Sequence, residues 1–205
     1  MKGEKVNQVE NDRQPTADAS PALARFFVAL LPPPDLQHEI TAIKQDIGQR
    51  FGSKAALKAP PHITLQPPFQ WSEARMGELD QALADFAQRR SPMPIQLKNF
   101  SAFAPRVIYI DVVQTTELMA TQPVLMAHLK ERCGIFDRLS QTRPFKPHLT
   151  VGFRDLKPAA FRLAWAEFEH RPFAAAWVVQ TLTLLRHDGQ QWQCLADFPL
   201  SSSMP

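Results

Sequence analysis

One five-residue pattern occurs twice in this chain. Pro61-His62-Ile63-Thr64-Leu65 and Pro147-His148-Leu149-Thr150-Val151 both read proline, histidine, aliphatic, threonine, aliphatic, and their histidines lie 86 residues apart. A leading proline disfavours helix, and Ile63-Thr64-Leu65 favours strand. In a strand, residues two apart share a face, so His62 and Thr64 point one way, as do His148 and Thr150. The aliphatic residues point the other way, into a core. Each copy therefore presents one imidazole and one hydroxyl from a rigid, buried strand. A lysine precedes each copy (Lys58, Lys146) and a phenylalanine follows each (Phe69, Phe153).

The surrounding pattern also repeats. Residues 25–31 read as a strand stopped by Pro32-Pro33-Pro34. Residues 35–50 read as a helix, with Leu36, Ile40, Ile43 and Ile47 at helical spacing. A short strand follows at 62–66, then a helix at 72–90 capped by Ser72, with Leu79, Leu83 and Phe86 as its stripe. Strands are expected at 94–100 and 106–113, turning at Ala104-Pro105, and a helix at 116–132 closed by Gly134. The second half then gives a strand at 148–153, a helix at 157–170, and a hairpin of 177–186 with 191–198 over Asp188-Gly189. Helices interleaved with short strands, in two similar runs, indicate an α+β fold of two similar lobes. The polar residues 1–22 read as a disordered tail, 23–200 as one bilobal domain, and 201–205 as a second tail.

Length and composition fit a globular protein. The 205 residues suffice for a real core, and 44% hydrophobic with 21% charged residues is ordinary. Nineteen prolines against seven glycines favour rigid turns over flexible linkers. The net charge of +3 is compatible with a phosphate-bearing partner. The apolar run at 26–31 is too short to span a bilayer, and no signal peptide is expected. Cys133 and Cys194 are far apart and read as buried packing residues of a reduced, cytosolic protein.

Two such lobes set face to face would bring two imidazoles and two hydroxyls to one point. That suits phosphoryl transfer. A neutral histidine takes a proton from the attacking oxygen, while a protonated one gives a proton to the leaving oxygen. The threonine hydroxyls donate to non-bridging phosphate oxygens. A single His-x-Thr on a strand is ordinary packing; its repetition at corresponding places points to chemistry. Neither motif has the carboxylates or spacing of a metal site, Asp155 being the one nearby acid, so no metal and no cofactor are expected. The remaining histidines, His38, His128, His170 and His187, read as surface residues. Phe69, Phe153 and Tyr109 are candidates for stacking a base. Among Lys58, Arg143, Lys146 and Arg154, the pair Lys146 and Arg154 is best placed to hold a phosphate.

The paired motifs resemble those of the two-histidine phosphoesterase superfamily, in its 2′-5′ RNA ligase (cyclic nucleotide phosphodiesterase-like) branch, and the resemblance covers residues 25–198. It implies two pseudo-symmetric lobes of antiparallel sheet, helices outside, and an active-site cleft between them. It implies metal-independent opening of 2′,3′-cyclic phosphates or related phosphodiesters at RNA or nucleotide ends, as in RNA processing, with weak reverse 2′-5′ ligation. His62 and His148 become the acid–base pair, Thr64 and Thr150 the phosphate binders. The expected protein is a cytoplasmic monomer whose partners are RNA ends or small nucleotides and not membranes. Relatives often carry a basic residue soon after the second motif. Here Arg154 is nearest, six residues past His148, and stays on the histidine face unless Gly152 introduces a bulge. The segment Gln66-Pro67-Pro68-Phe69 also departs from the common pattern. A rival reading, a non-catalytic nucleotide- or RNA-binding module, would keep the cleft without needing both imidazoles. A scaffold protein would have neither turnover nor nucleotide affinity.

Overall fold

A computed structural model describes residues 22–201. Almost all of the two expected tails falls outside the described residues. Within them run β1 (Leu23–Leu30), α1 (Pro34–Phe51), a 3-10 turn (Ala55–Lys58), β2 (Ile63–Ser72), α2 (Met76–Ala87), β3 (Met93–Phe103) and β4 (Val107–Val112). Then follow α3 (Thr116–Cys133), α4 (Arg138–Thr142), β5 (His148–Gly152), α5 (Pro158–Phe168), β6 (Ala174–Val179), β7 (Thr181–His187) and β8 (Trp192–Pro199).

The strands form two four-stranded sheets, in the orders β2-β1-β7-β8 and β5-β4-β3-β6, and every pairing is antiparallel. The α+β, two-sheet expectation is therefore met, and each motif strand is an edge strand. The sheets do not correspond to the two halves of the sequence. The first sheet takes β1 and β2 from the start of the chain and β7 and β8 from its end.

Local chemistry sets the elements. Pro34 opens α1, and Gly52 closes it in the left-handed region at φ 79°, where a side chain would be strained. The Thr115 hydroxyl accepts a hydrogen bond from the Leu118 amide at the start of α3. The long helix upstream of each motif strand packs against the other motif strand: α1, before β2, lies on β5, and α3, before α4 and β5, lies on β2. One apolar cluster consequently runs through both sheets. Ile63, Leu65, Leu149 and Val151 are all 0% exposed within it, as the alternation requires. Burial of such a side chain contributes roughly 1.5–3 kcal/mol.

Several expectations need correction. Strand β2 runs six residues past Gln66, through Pro67-Pro68. An edge strand tolerates prolines, and a register shift between Phe26 and Val28 absorbs them. Ser72 therefore ends a strand and makes no side-chain cap, and α2 starts after a 3-10 turn at Glu73–Arg75. The single strand expected at 177–186 is two strands, β6 and β7, in different sheets, with no glycine or proline at the break to announce it. The short helix α4 was not expected. Of the cysteines, Cys133 is half-buried but Cys194 is exposed, so the burial expected of Cys194 is not met.

Candidate active site

A cleft of about 300 Å³ lies between the two motif strands, and His62, Thr64, His148 and Thr150 all line it. His62 immediately precedes β2, after Pro60-Pro61, and His148 is the first residue of β5. The His62 Nδ1–H donates to the Pro60 carbonyl at 2.7 Å. The His148 Nδ1–H donates to the Lys146 carbonyl, also at 2.7 Å. A carbonyl can only accept, so the proton of each neutral ring sits on Nδ1, and Nε2 carries the lone pair.

The rings are held by aromatic contacts. His62 lies 4.7 Å from Phe27, centroid to centroid. His148 meets Tyr109 at 5.2 Å and Phe103 at 5.1 Å, both edge to face. Burial pushes the His62 imidazolium down to about 4, helped by the positive charges of Lys44 and His148 and opposed by its bond to Pro60. His148 is also lowered, first by burial and further by Lys146, while its carbonyl bond and Asp111, opposite it on β4, act the other way.

The other expected contacts divide. Phe153 lines the cleft. Tyr109 is 0% exposed and supports His148 rather than offering a stacking face. Phe69 packs 6.1 Å from the core ring of Phe26 and does not line the cleft. Lys146 turns its amine over the Phe103 and Tyr109 rings, at 5.4 and 5.2 Å, and is also absent from the lining. Arg154 lies over Phe153 outside the lining, because β5 carries an extra residue opposite Ile108–Tyr109 and ends at Gly152. The even-offset argument for Arg154 fails at that bulge.

The structure adds residues that the motifs do not announce. Phe27, Trp192 and His187 form one wall, with Phe27–Trp192 at 4.6 Å and His187–Trp192 at 4.9 Å. His187 is thus a cleft residue, correcting its assignment to the surface; His128, half-buried, bonds the Ala82 carbonyl and is not a plain surface residue either. Lys44 of α1 lines the cleft while 2% exposed. Its signal was legible, since it falls four residues after Ile40 and three before Ile47, on the stripe that faces the core. Asp155 holds the cleft's outer wall. It accepts from the Ser53 hydroxyl at 2.7 Å and from the Lys54 and Ala55 amides at 2.7 and 2.8 Å, fixing the start of the 3-10 turn that carries Lys58. Burial opposes ionisation of Asp155, but these bonds outweigh it and hold the carboxyl below its usual range.

Among the described residues, no three His, Cys, Asp or Glu side chains group so as to hold a metal ion. No helix among them is long and apolar enough to cross a membrane.

An α+β fold of two antiparallel sheets, with a histidine-lined cleft between their edge strands, defines a two-lobed class of proteins. Residues 32–191 match the 2′-5′ RNA ligase superfamily, and the chain belongs to that family. A Bacillus pumilus protein described as a phosphoesterase is 34% identical over 129 residues, 62% of this chain and 68% of its own. An Oceanobacillus iheyensis protein of the same description is 27% identical over 179 residues, 86% of this chain and 98% of its own. Among solved structures, E. coli LigT complexed with NADP+ shares the fold at a TM-score of 0.62 and 21% identity, covering 89% of this chain and 99% of LigT. LigT has also been solved with ATP and with 3′-AMP.

Proposed function

We propose that this protein is a metal-independent phosphoesterase that opens 2′,3′-cyclic phosphates, or related phosphodiesters, at RNA or nucleotide ends. The observation that carries the reading is the matched pair His62 and His148, each with Nδ1 fixed and Nε2 left to exchange protons in one cleft. One neutral imidazole takes a proton from water as the water oxygen attacks phosphorus. The other, protonated, gives its proton to the departing ribose oxygen. Thr64 and Thr150 donate hydrogen bonds to the non-bridging oxygens as charge builds there. Each proton transfer supplies roughly 10²–10⁴ in rate.

The wall of Phe27 and Trp192, with Phe153, suits a nucleobase. The nucleotides bound by LigT support a nucleotide here as well. Run backwards, the same pair would join ends, but water favours hydrolysis, so ligation is weak. The same reading makes residues 23–200 one catalytic unit of a monomeric, cytoplasmic RNA-processing enzyme.

The test is hydrolysis of a nucleoside 2′,3′-cyclic phosphate in EDTA by wild type, His62→Ala and His148→Ala. Turnover that resists EDTA and collapses in both variants is expected. A wild type without turnover on mononucleotides and cyclic-ended oligonucleotides, yet binding them, would replace this reading with the binding module.

A further inference from the structure

Lys44 sits midway along α1, and its ammonium donates one hydrogen bond, to the Ala59 carbonyl at 3.1 Å. The side chain is 2% exposed and lines the cleft together with His62. An ammonium carries three donors, and one neutral carbonyl satisfies one of them. The titratable groups lining the cleft are Lys44, His62 from the start of β2, Lys58 from the 3-10 turn, His148 from β5 and His187 from β7; none of the described lining residues is Asp or Glu. A buried cation facing a cavity without a carboxylate is costly until an anion arrives.

We propose that Lys44 is the cation that receives the substrate's phosphoryl group, its ammonium donating to a non-bridging oxygen between the two histidines. This role, expected of Lys146 and Arg154, falls to α1 because those two side chains lie outside the cleft. The inference rests on the phosphoesterase reading for its substrate, but its binding step can be tested without turnover.

Burial pulls the Lys44 amine down to about 7, so near neutral pH the empty site holds it between its two forms. An anion favours the charged form. Binding at about pH 8 should then take up most of one proton, since at that pH roughly a tenth of such an amine is protonated beforehand. His62 and His148, both lowered, are neutral at that pH.

The experiment is titration calorimetry of wild type, Lys44→Met and Lys44→Gln with inorganic sulfate, which does not itself titrate there. Two buffers of different ionisation heat give the proton count. Wild type should take up most of a proton. Both variants should lose the uptake and bind sulfate about tenfold more weakly. On a cyclic nucleotide their kcat/KM should fall about a hundredfold. No uptake by wild type, or uptake and affinity unchanged in the variants, would overturn the role of Lys44 and leave it a peg on Ala59. If neither variant folds, the wild-type proton count decides. Turnover without lysine-dependent uptake removes the Lys44 role alone; uptake without turnover removes the phosphoesterase reading alone.

Discussion

His62 and His148 stand at matching places, at the heads of the two motif strands. Each bonds through Nδ1, at 2.7 Å, to the carbonyl of the residue two positions before it. The strands that follow also match. Thr64 pairs with Ala29 and Gln66 with Val28, while Thr150 pairs with Tyr109 and Gly152 with Ile108, so each motif strand carries one extra residue directly after its threonine. The bulge turns the strand aside beyond the hydroxyl. Two copies of this unit, facing one cleft, give a site that is symmetric in its two histidine–threonine pairs and asymmetric around them: Lys44 and Phe27 attend His62, and Asp111, Lys146 and Tyr109 attend His148.

The rate should have an acidic optimum. The proposed mechanism uses one neutral and one protonated histidine, and both are lowered from 6.5, His62 to about 4. The bell of kcat/KM against pH should therefore peak between about pH 4 and 6.5, the alkaline limb reporting loss of the acid's proton. An optimum above about pH 8 would contradict the burial assigned to these rings.

Thr64→Val and Thr150→Val preserve shape and remove one hydroxyl each. Each should lower kcat/KM by roughly 10–100-fold through a lost hydrogen bond to the phosphate, with little change in melting temperature. Steady-state kinetics beside thermal melts tests this. Wild-type kinetics in either variant would remove that threonine from the phosphate site.

Trp192 should serve the nucleobase and not the phosphate. Trp192→Ala is expected to raise KM for a cyclic nucleotide by about tenfold or more, with kcat nearly unchanged, since base stacking contributes roughly 1–3 kcal/mol. A non-nucleotide cyclic phosphate should be insensitive to the change. Equal losses on both substrates would show that Trp192 only supports Phe27 and His62.

Lys44→Met should stabilise the fold near neutral pH. The folded amine titrates at about 7 and the unfolded one at 10.5. Below 7 the unfolded chain gains the full benefit of the charge, and the cost to folding shrinks as pH rises to 10.5. Allowing for the lost bond to Ala59, the gain is about 1–2 kcal/mol near pH 7 and falls toward zero by about pH 10. Urea melts at the two pH values measure it. A gain that does not change with pH would mean Lys44 is not charged-form destabilised.

Asp155→Asn should loosen the cleft wall. The folded carboxyl lies below its ordinary value, so its stabilisation is present above the unfolded pKa and is lost as pH falls through the folded one. The cost near neutral pH is about 1 kcal/mol, kept small because the carboxylate is largely exposed. The difference from wild type in urea melts should shrink toward pH 3.

Much of the site was legible before any fold was known. The two His-x-Thr pairs named themselves by repetition, and strand alternation correctly sent Ile63, Leu65, Leu149 and Val151 inward. Those are local properties: a period of two and a proline before each strand act over a few residues. The rest of the cleft lining was less legible. Counting an even offset put Arg154 on the histidine face, but the bulge at Val151 and the end of β5 at Gly152 undo the count. Tyr109, Phe69 and Phe153 are alike in composition, and only packing sends the first two away from the cleft.

By itself, then, the sequence determined the alternation of elements, the inward and outward faces of the motif strands, and the two His-x-Thr pairs that meet in one cleft. The tertiary structure alone decided that β7 and β8 return to pair with β1, that α1 crosses to pack on β5, and that Lys44, Phe27, His187 and Trp192 meet at the same cleft. The reason is range: side-chain periodicity is written within each segment, whereas the neighbours of a cleft come from segments more than a hundred residues apart, brought together only by the burial of one shared core.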